Sequence, residues 1–254
     1  MKTILIFAWF ILLSVPVFGL NRYPEWFLFP RKYPKVITGY SYSGNTAEFD
    51  AENMYCAYRS CVVYGTLEIY QDPQNNEWLK NSDYYYYFSP DSVQKIHGHL
   101  VELDSFATEI ITGDYIAAFE LPPVDSTFES PWIEVSTLPK PDWLEKAFWQ
   151  DETYYYGVGL YTSTGNENDA WKTAEEQGIF TILTNLAVAV FKLRQTEQNA
   201  DESSASMMEI SFLNLRYLLN NIKILERYPD NENQVYYTLV RIPKQDVHTP
   251  MLGK

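Results

Sequence analysis

The chain has 254 residues, with 19 basic and 33 acidic side chains and a formal net charge of −14. That charge repels phosphate backbones and anionic lipid surfaces, so nucleic acid and bare membrane are excluded as expected partners. Aromatic residues are abundant, at 17% with 21 Tyr, and such side chains serve a core, a strand edge or a partner surface equally well.

The N-terminal stretch carries one charge, Lys2, then an apolar run from Ile4 to Leu13, a helix-breaking Pro16, and Val17 and Gly19. This is the order of a cleaved secretory signal over residues 1–19. The run is too short to span a bilayer, which needs roughly 20 apolar residues. Leu20 and Asn21 stand where an anchored lipoprotein would carry its lipid-acceptor cysteine, so no lipid anchor is expected. No later segment offers a comparable charge-free run, so no transmembrane segment is expected after cleavage, and loss of Lys2 takes the charge from −14 to −15. The expected location is the periplasm or the cell surface. About 235 residues then remain, enough for one large domain or two of about 100 to 120.

Self-comparison favours two. PEWF at 24–27 answers PDWL at 141–144, and VITGYSYS at 36–43 answers YYYGVGLY at 154–161, with Gly39 matched to Gly157. DAENMYCAYRS from Asp50 answers DAWKTAEEQGI from Asp169, and DYIAAFELP at 114–122 answers VYYTLVRIP at 235–243. The offset drifts slowly from 117 to 121 while the order holds, as small loop insertions would produce.

Each half opens with a glycine-broken strand rich in Tyr, Val and Ile. A helix follows, expected over 47–64 in the first half and 168–185 in the second. Asn45 or Thr46 caps the first helix, and Asn166 or Asn168 the second. In the second, Ala170, Ala174, Gly178 and Ile182 recur every four residues, the stripe of a helix pressed onto a sheet. Gly39, Gly157 and Gly159 are expected to let that helix, or a neighbouring backbone, come close. Cys56 and Cys61 are expected to be small buried hydrophobes: if both lie in one helix, five residues of separation put them beyond usual bridge geometry.

Second strands are expected at 65–71 and 186–194, irregular or mobile segments at 72–89 and 195–206, short helices at 91–96 and 203–217, and a closing two-strand hairpin in each half. The fold class is therefore α+β, two similar β-α-β-(α)-β-β modules, each a mixed sheet backed by a helix. The expected boundaries are a first module over 24–124, a proline-rich linker over 125–140, a second module over 141–244 and a tail over 245–254.

PDWL at 141–144, YYYGVG at 154–159, the alanine-spaced helix from Asp169 to Ala174, LAVAVFKL and YYTLVRIPK at 236–244 resemble the lipoprotein-20 family of bacterial envelope proteins. The resemblance covers nearly all of 141–244, with a degenerate copy at 24–122. It implies an envelope-located α/β module without known enzymatic chemistry. Trp26 and Trp143, in the first matched motif, are taken with Gly39, Gly157, Gly159, Ala170 and Ala174 as structural residues.

Chemistry-bearing motifs are few. His97, His99 and His248 are the only bases for a Ser-His-acid arrangement, and no G-x-S-x-G elbow occurs. HGH at 97–99 would put two imidazoles on one face of a strand, short of the three or four ligands of a tight metal site. GVG at 157–159 lies in a strand, where it cannot act as a phosphate loop. No catalytic residue, cofactor or metal is therefore expected. Trp78, Tyr84 and Tyr85 are the candidate interaction residues. The expected role is a non-enzymatic structural or interaction component of an envelope assembly, partnered by an envelope protein or by self-association. The alternatives are a carbohydrate or peptidoglycan binding module using exposed Tyr and Trp, and an unrecognised hydrolase.

Overall fold

A computed structural model describes residues 20–42, 44–71, 77–88, 90–109, 112–124, 127–162, 165–198 and 210–248. The expected signal segment, most of the polar 195–206 stretch and the end of the tail lie outside the described residues. The fold is α+β. In chain order the first half contributes β1 (Arg22–Pro24), α1 (Glu25–Leu28), β2 (Ile37–Tyr40), α2 (Ala47–Arg59), β3 (Ser60–Gln71), β4 (Glu77–Tyr87), α3 (Pro90–Ile96), β5 (Val101–Ala107) and β6 (Tyr115–Glu120). Then come β7 (Trp132–Glu134), β8 (Phe148–Gln150), β9 (Tyr154–Thr162), α4 (Glu167–Gln198), β10 (Ile210–Asn220), β11 (Lys223–Asp230), β12 (Val235–Pro243) and β13 (Val247–His248).

One sheet runs β2-β6-β5 and a second β11-β12-β9-β8, so in both the opening strand pairs with the closing one, which pairs with the strand before it. The helices sit where small residues admit them. A Cβ added at Gly39 would lie 2.0 Å from the Ala47 carbonyl oxygen of α2, and one at Gly159 would lie 1.8 Å from the Ala174 oxygen of α4. Gly157 faces the Gly178 oxygen at 2.2 Å on the same criterion. Register pairs Gly39 with Gly159, not with Gly157: Gly39 faces Ala117, five residues before Pro122, and Gly159 faces Thr238, five before Pro243.

A third sheet joins the halves. Its order is β13-β10-β3-β4, with β3 and β10 antiparallel from Ser60↔Asn220 to Tyr70↔Ile210. Val63 and Leu67 of β3, Leu215 and Leu219 of β10, Ile179, Ile182 and Leu183 of α4, and Val240 and Ile242 of β12 form one buried cluster. Each such aliphatic side chain contributes about 1.5–3 kcal/mol on full burial, so the halves share a core. A second cluster is built largely from aromatic side chains. Phe27 of α1 packs against Tyr23, Trp26, Tyr40, Phe106 and Trp171, with centroids 5.2–6.4 Å apart.

Several local expectations are corrected. The expected strand 186–194 is helical, because α4 continues to Gln198. Leu, Ala, Lys, Arg and Gln there are good helix formers, and Leu186 and Ala187 extend the stripe from Ile182 and Leu183. The expected helix 203–217 is strand β10 from Ile210 onward, its earlier residues lying outside the described set. Its partner β3 is far away in sequence, so no local pattern shows the pairing. α2 ends at Arg59 rather than at 64, because Cys61, Val62, Val63 and Tyr64 favour a strand. Cys56 and Cys61 are both buried, but they belong to a helix and a strand, so the single-helix premise fails.

The 72–89 stretch contains β4, and the linker contains β7, which pairs with β1 through Tyr23↔Ile133. Thr46 caps α2 by accepting from the Phe49 amide at 3.2 Å, and Asn166 accepts from the Asp169 amide at 3.1 Å. Asn168 is a staple between the halves, donating to the Ser41 and Tyr115 carbonyls at 2.6 and 3.1 Å. Among the described residues no helix is long and apolar enough to cross a membrane.

Candidate functional site

Where the halves meet, a cleft of about 860 Å³ opens between the Pro30–Thr38 segment, the C-terminal half of α2, and strands β9, β11 and β12. Its floor is a buried ion pair. Arg227 of β11 donates from Nε and Nη2 to Glu175 Oε1 of α4, at 2.8 and 2.5 Å. Tyr40 and Tyr58 donate their hydroxyls to the same carboxylate at 2.5 and 2.7 Å, and Arg227 Nη1 donates to the Phe27 carbonyl at 2.5 Å. The guanidinium also lies over the Phe27 ring, 4.3 Å from its centroid.

Burial alone would lower the Arg227 pKa, but Tyr40 and Glu175 outweigh it and raise the guanidinium above its ordinary value. Burial likewise drives the Tyr40 phenol well above its usual range, so it stays a donor. Two phenols and two guanidinium nitrogens thus occupy the Glu175 carboxylate. This floor is built to hold α4, β11, α2 and β2 together.

The rim is basic. Arg31, Lys35, Arg59, Lys223 and Arg241 line it with the Glu120 carboxylate, above the Arg227–Glu175 pair of the floor. Arg31 pairs with Glu226 at 2.6 Å and Lys35 with Glu120 at 3.5 Å, while their own side chains stay 56% and 72% exposed. Arg59 lies over the Tyr55 ring at 5.5 Å, and Arg241 over Tyr154 at 4.2 Å. Tyr33, Tyr55, Tyr58 and Tyr156 supply flat amphipathic surface between these charges. Tyr156 also stacks on Trp149, with centroids 5.0 Å apart and planes 4° from parallel.

The residues singled out from sequence lie elsewhere. Gly39, Gly157, Gly159, Ala170 and Ala174 are at helix–sheet contacts or in the buried core. Trp26 is fully buried and donates to Asp104 at 2.9 Å, and Trp143 donates to Glu226 at 2.6 Å. Asp104 and Glu226 each follow a bulge in the penultimate strand of their half. Trp78, Tyr84 and Tyr85 belong to β4. Tyr85 is 60% exposed and stacks on Tyr64, whereas the side chains of Trp78 and Tyr84 lie outside the described set.

The histidines do not converge. HGH follows α3 in a turn, so the strand geometry that would aim both rings together is absent. His97 Nδ1 contacts Glu52 at 2.9 Å, and that hydrogen bond raises the imidazole pKa. His248 is at the end of β13. Among the described residues no group of three His, Cys, Asp or Glu side chains is placed to hold a metal.

Sequence reading overlooked Glu175 and Arg227. Glu175 carried a signal, since it stands four residues from both Trp171 and Ile179 on the apolar stripe of α4, where a charge is seldom buried without a partner. Arg227, next to Glu226, reads as part of an ordinary charged pair. Comparison with family models, with curated proteins and with solved structures finds no match.

Proposed function

We propose that this chain is an exported, non-enzymatic component of a bacterial envelope assembly that captures a protein partner in the basic, tyrosine-lined cleft. One observation carries the reading: a chain with 19 basic and 33 acidic residues reverses that balance around its cleft, where six cations stand against three carboxylates, Glu120 and Glu175 in the lining and Glu226 on Arg31. Charge reversal of this kind draws in an anionic partner and orients it, and tyrosines supply contact area with few rotors to freeze. The full occupancy of Glu175 by donors supports a structural floor rather than a reactive one.

Export is supported by the order of Lys2, apolar run, Pro16 and Gly19. An envelope role is supported by the resemblance of 141–244 to the lipoprotein-20 family. The two-module reading is supported by the shared strand order and by the recurring tryptophan–carboxylate bond beside each bulge. A second reading, a carbohydrate or peptidoglycan module, is favoured by the parallel stack of Trp149 on Tyr156 at the cleft's margin.

A photo-crosslinking side chain placed at Tyr55, inside the cleft, tests the first reading in intact cells. Leu160, 53% exposed on β9, is the control position. A discrete crosslinked envelope polypeptide from position 55 and none from 160 is the expected result. Equal adducts from both positions, or a crosslink to glycan alone, contradicts it.

A further inference from the structure

The cleft holds a strand edge that is open at one residue, Thr38, and this deepens the reading just proposed by naming the partner's form. Among the described residues β2 is the outer strand of its sheet, paired only with β6 through Ile37↔Phe119 and Gly39↔Ala117. The next odd-numbered residue, Ser41, donates its amide to the Tyr115 carbonyl at 2.9 Å. Antiparallel strands turn alternate residues' main-chain groups to opposite sides, so Thr38 and Tyr40 direct theirs away from β6. The outward amide of Tyr40 is occupied by Asp50 Oδ2 at 3.1 Å. That of Val36 is occupied by the Tyr33 carbonyl at 3.0 Å. Thr38, between them, is half-buried and lines the cleft.

A strand edge left in a cleft is a template for an extended segment. The outer strand of the other sheet is managed differently. Over β11, Arg227 donates to the Phe27 carbonyl and Glu226 pairs with Arg31, so α1 and the turn after it cover its middle. Lys223, Ile224, Leu225 and Arg59 line the same cleft as Ile37 and Thr38 of β2. Backbone groups for a strand and cations for its side chains thus face one space.

We infer that the occupant is an extended acidic peptide, added as a fourth strand to the edge of β2. It exchanges main-chain hydrogen bonds with Thr38 and sets its carboxylates against Arg59 and Lys223. Charge complementarity selects an acidic segment over a basic one, and the outward Thr38 groups select a peptide over an anionic glycan, which has no amide ladder to offer.

The test titrates the purified chain, 15N-labelled, with the blocked octapeptide (Glu-Val)4, its (Lys-Val)4 counterpart, an oligogalacturonate, and two forms of the acidic peptide N-methylated at every Glu or at every Val amide. The acidic peptide is expected to bind with a shift of the Thr38 amide resonance, and the basic peptide to bind at least about tenfold more weakly. One methylated form is expected to lose about fivefold or more and the other to bind nearly unchanged, because an added strand turns only alternate amides toward its neighbour. Because methylation alters the peptide and leaves the protein intact, misfolding cannot mimic the result. Equal sensitivity to both methylations, or binding of the oligogalacturonate in place of the peptide, overturns strand addition while leaving a basic cleft. Absence of peptide binding alongside a protein crosslink from position 55 overturns the acidic strand alone, whereas loss of that crosslink removes the parent reading.

Discussion

Gly159→Ala is expected to lower stability by about 3 kcal/mol, the upper part of the range for overpacking a filled interior. The added methyl would lie 1.8 Å from the Ala174 oxygen and 2.3 Å from the Gly178 nitrogen. Both are backbone atoms of α4, so no side-chain rotation relieves the overlap and the helix itself must retreat. Its retreat opens the packing of Ile179, Ile182 and Leu183 against Val240 and Ile242. For a chain of this size the melting temperature falls by about 6–12 °C. Gly157→Val, facing the Gly178 oxygen and Ile182, is expected to follow in the same direction. Gly165→Ala, with nothing within 4 Å of the added carbon, is the control, expected within about 0.5 kcal/mol of wild type. Thermal unfolding of the three variants separates them. A Gly159→Ala protein melting with the control would mean that α4 does not lie on β9 as described.

Arg227→Met is expected to be the most damaging change at the cleft floor. It leaves the Glu175 carboxylate buried with only the Tyr40 and Tyr58 hydroxyls as donors. Removing one partner of a buried pair costs about 3–5 kcal/mol. The double variant Arg227→Met with Glu175→Gln is expected to recover a substantial part of that loss, since no charge then remains to be solvated and an amide oxygen still accepts from the phenols. Denaturant midpoints of the two single variants and the double close the cycle. A double variant as unstable as the sum of the singles would show that the two groups act independently, against the geometry.

How much of this was legible from the sequence depends on how local the cause is. The glycine notches and the four-residue stripe in α4 are short-range patterns, and helix and sheet lie against each other at Gly39, Gly157 and Gly159 as such patterns dictate. Ala187 and Val188 could be read with either period, and the continuity of α4 is decided by what it packs against. β10 is a strand because β3 pairs with it from the other half, over a sequence distance that no window spans. The cleft was illegible for the same reason. Its cations come from Arg31, Arg59, Lys223 and Arg241, segments that only the joining of the halves brings to one place. Lys223 and Arg241 face each other in register across β11 and β12, yet each reads alone as an ordinary surface charge.

The cleft's role is tested most directly by reversing its charge and following where the protein goes. Arg59→Glu with Lys223→Glu changes two exposed side chains and leaves the buried Arg227–Glu175 pair intact. Wild type is expected to fractionate with the envelope and to be released as salt is raised. The double variant, with an unchanged melting temperature, is expected to be retained about tenfold less at low salt. Retention of the variant equal to that of wild type across the salt series would contradict a basic cleft as the site of capture.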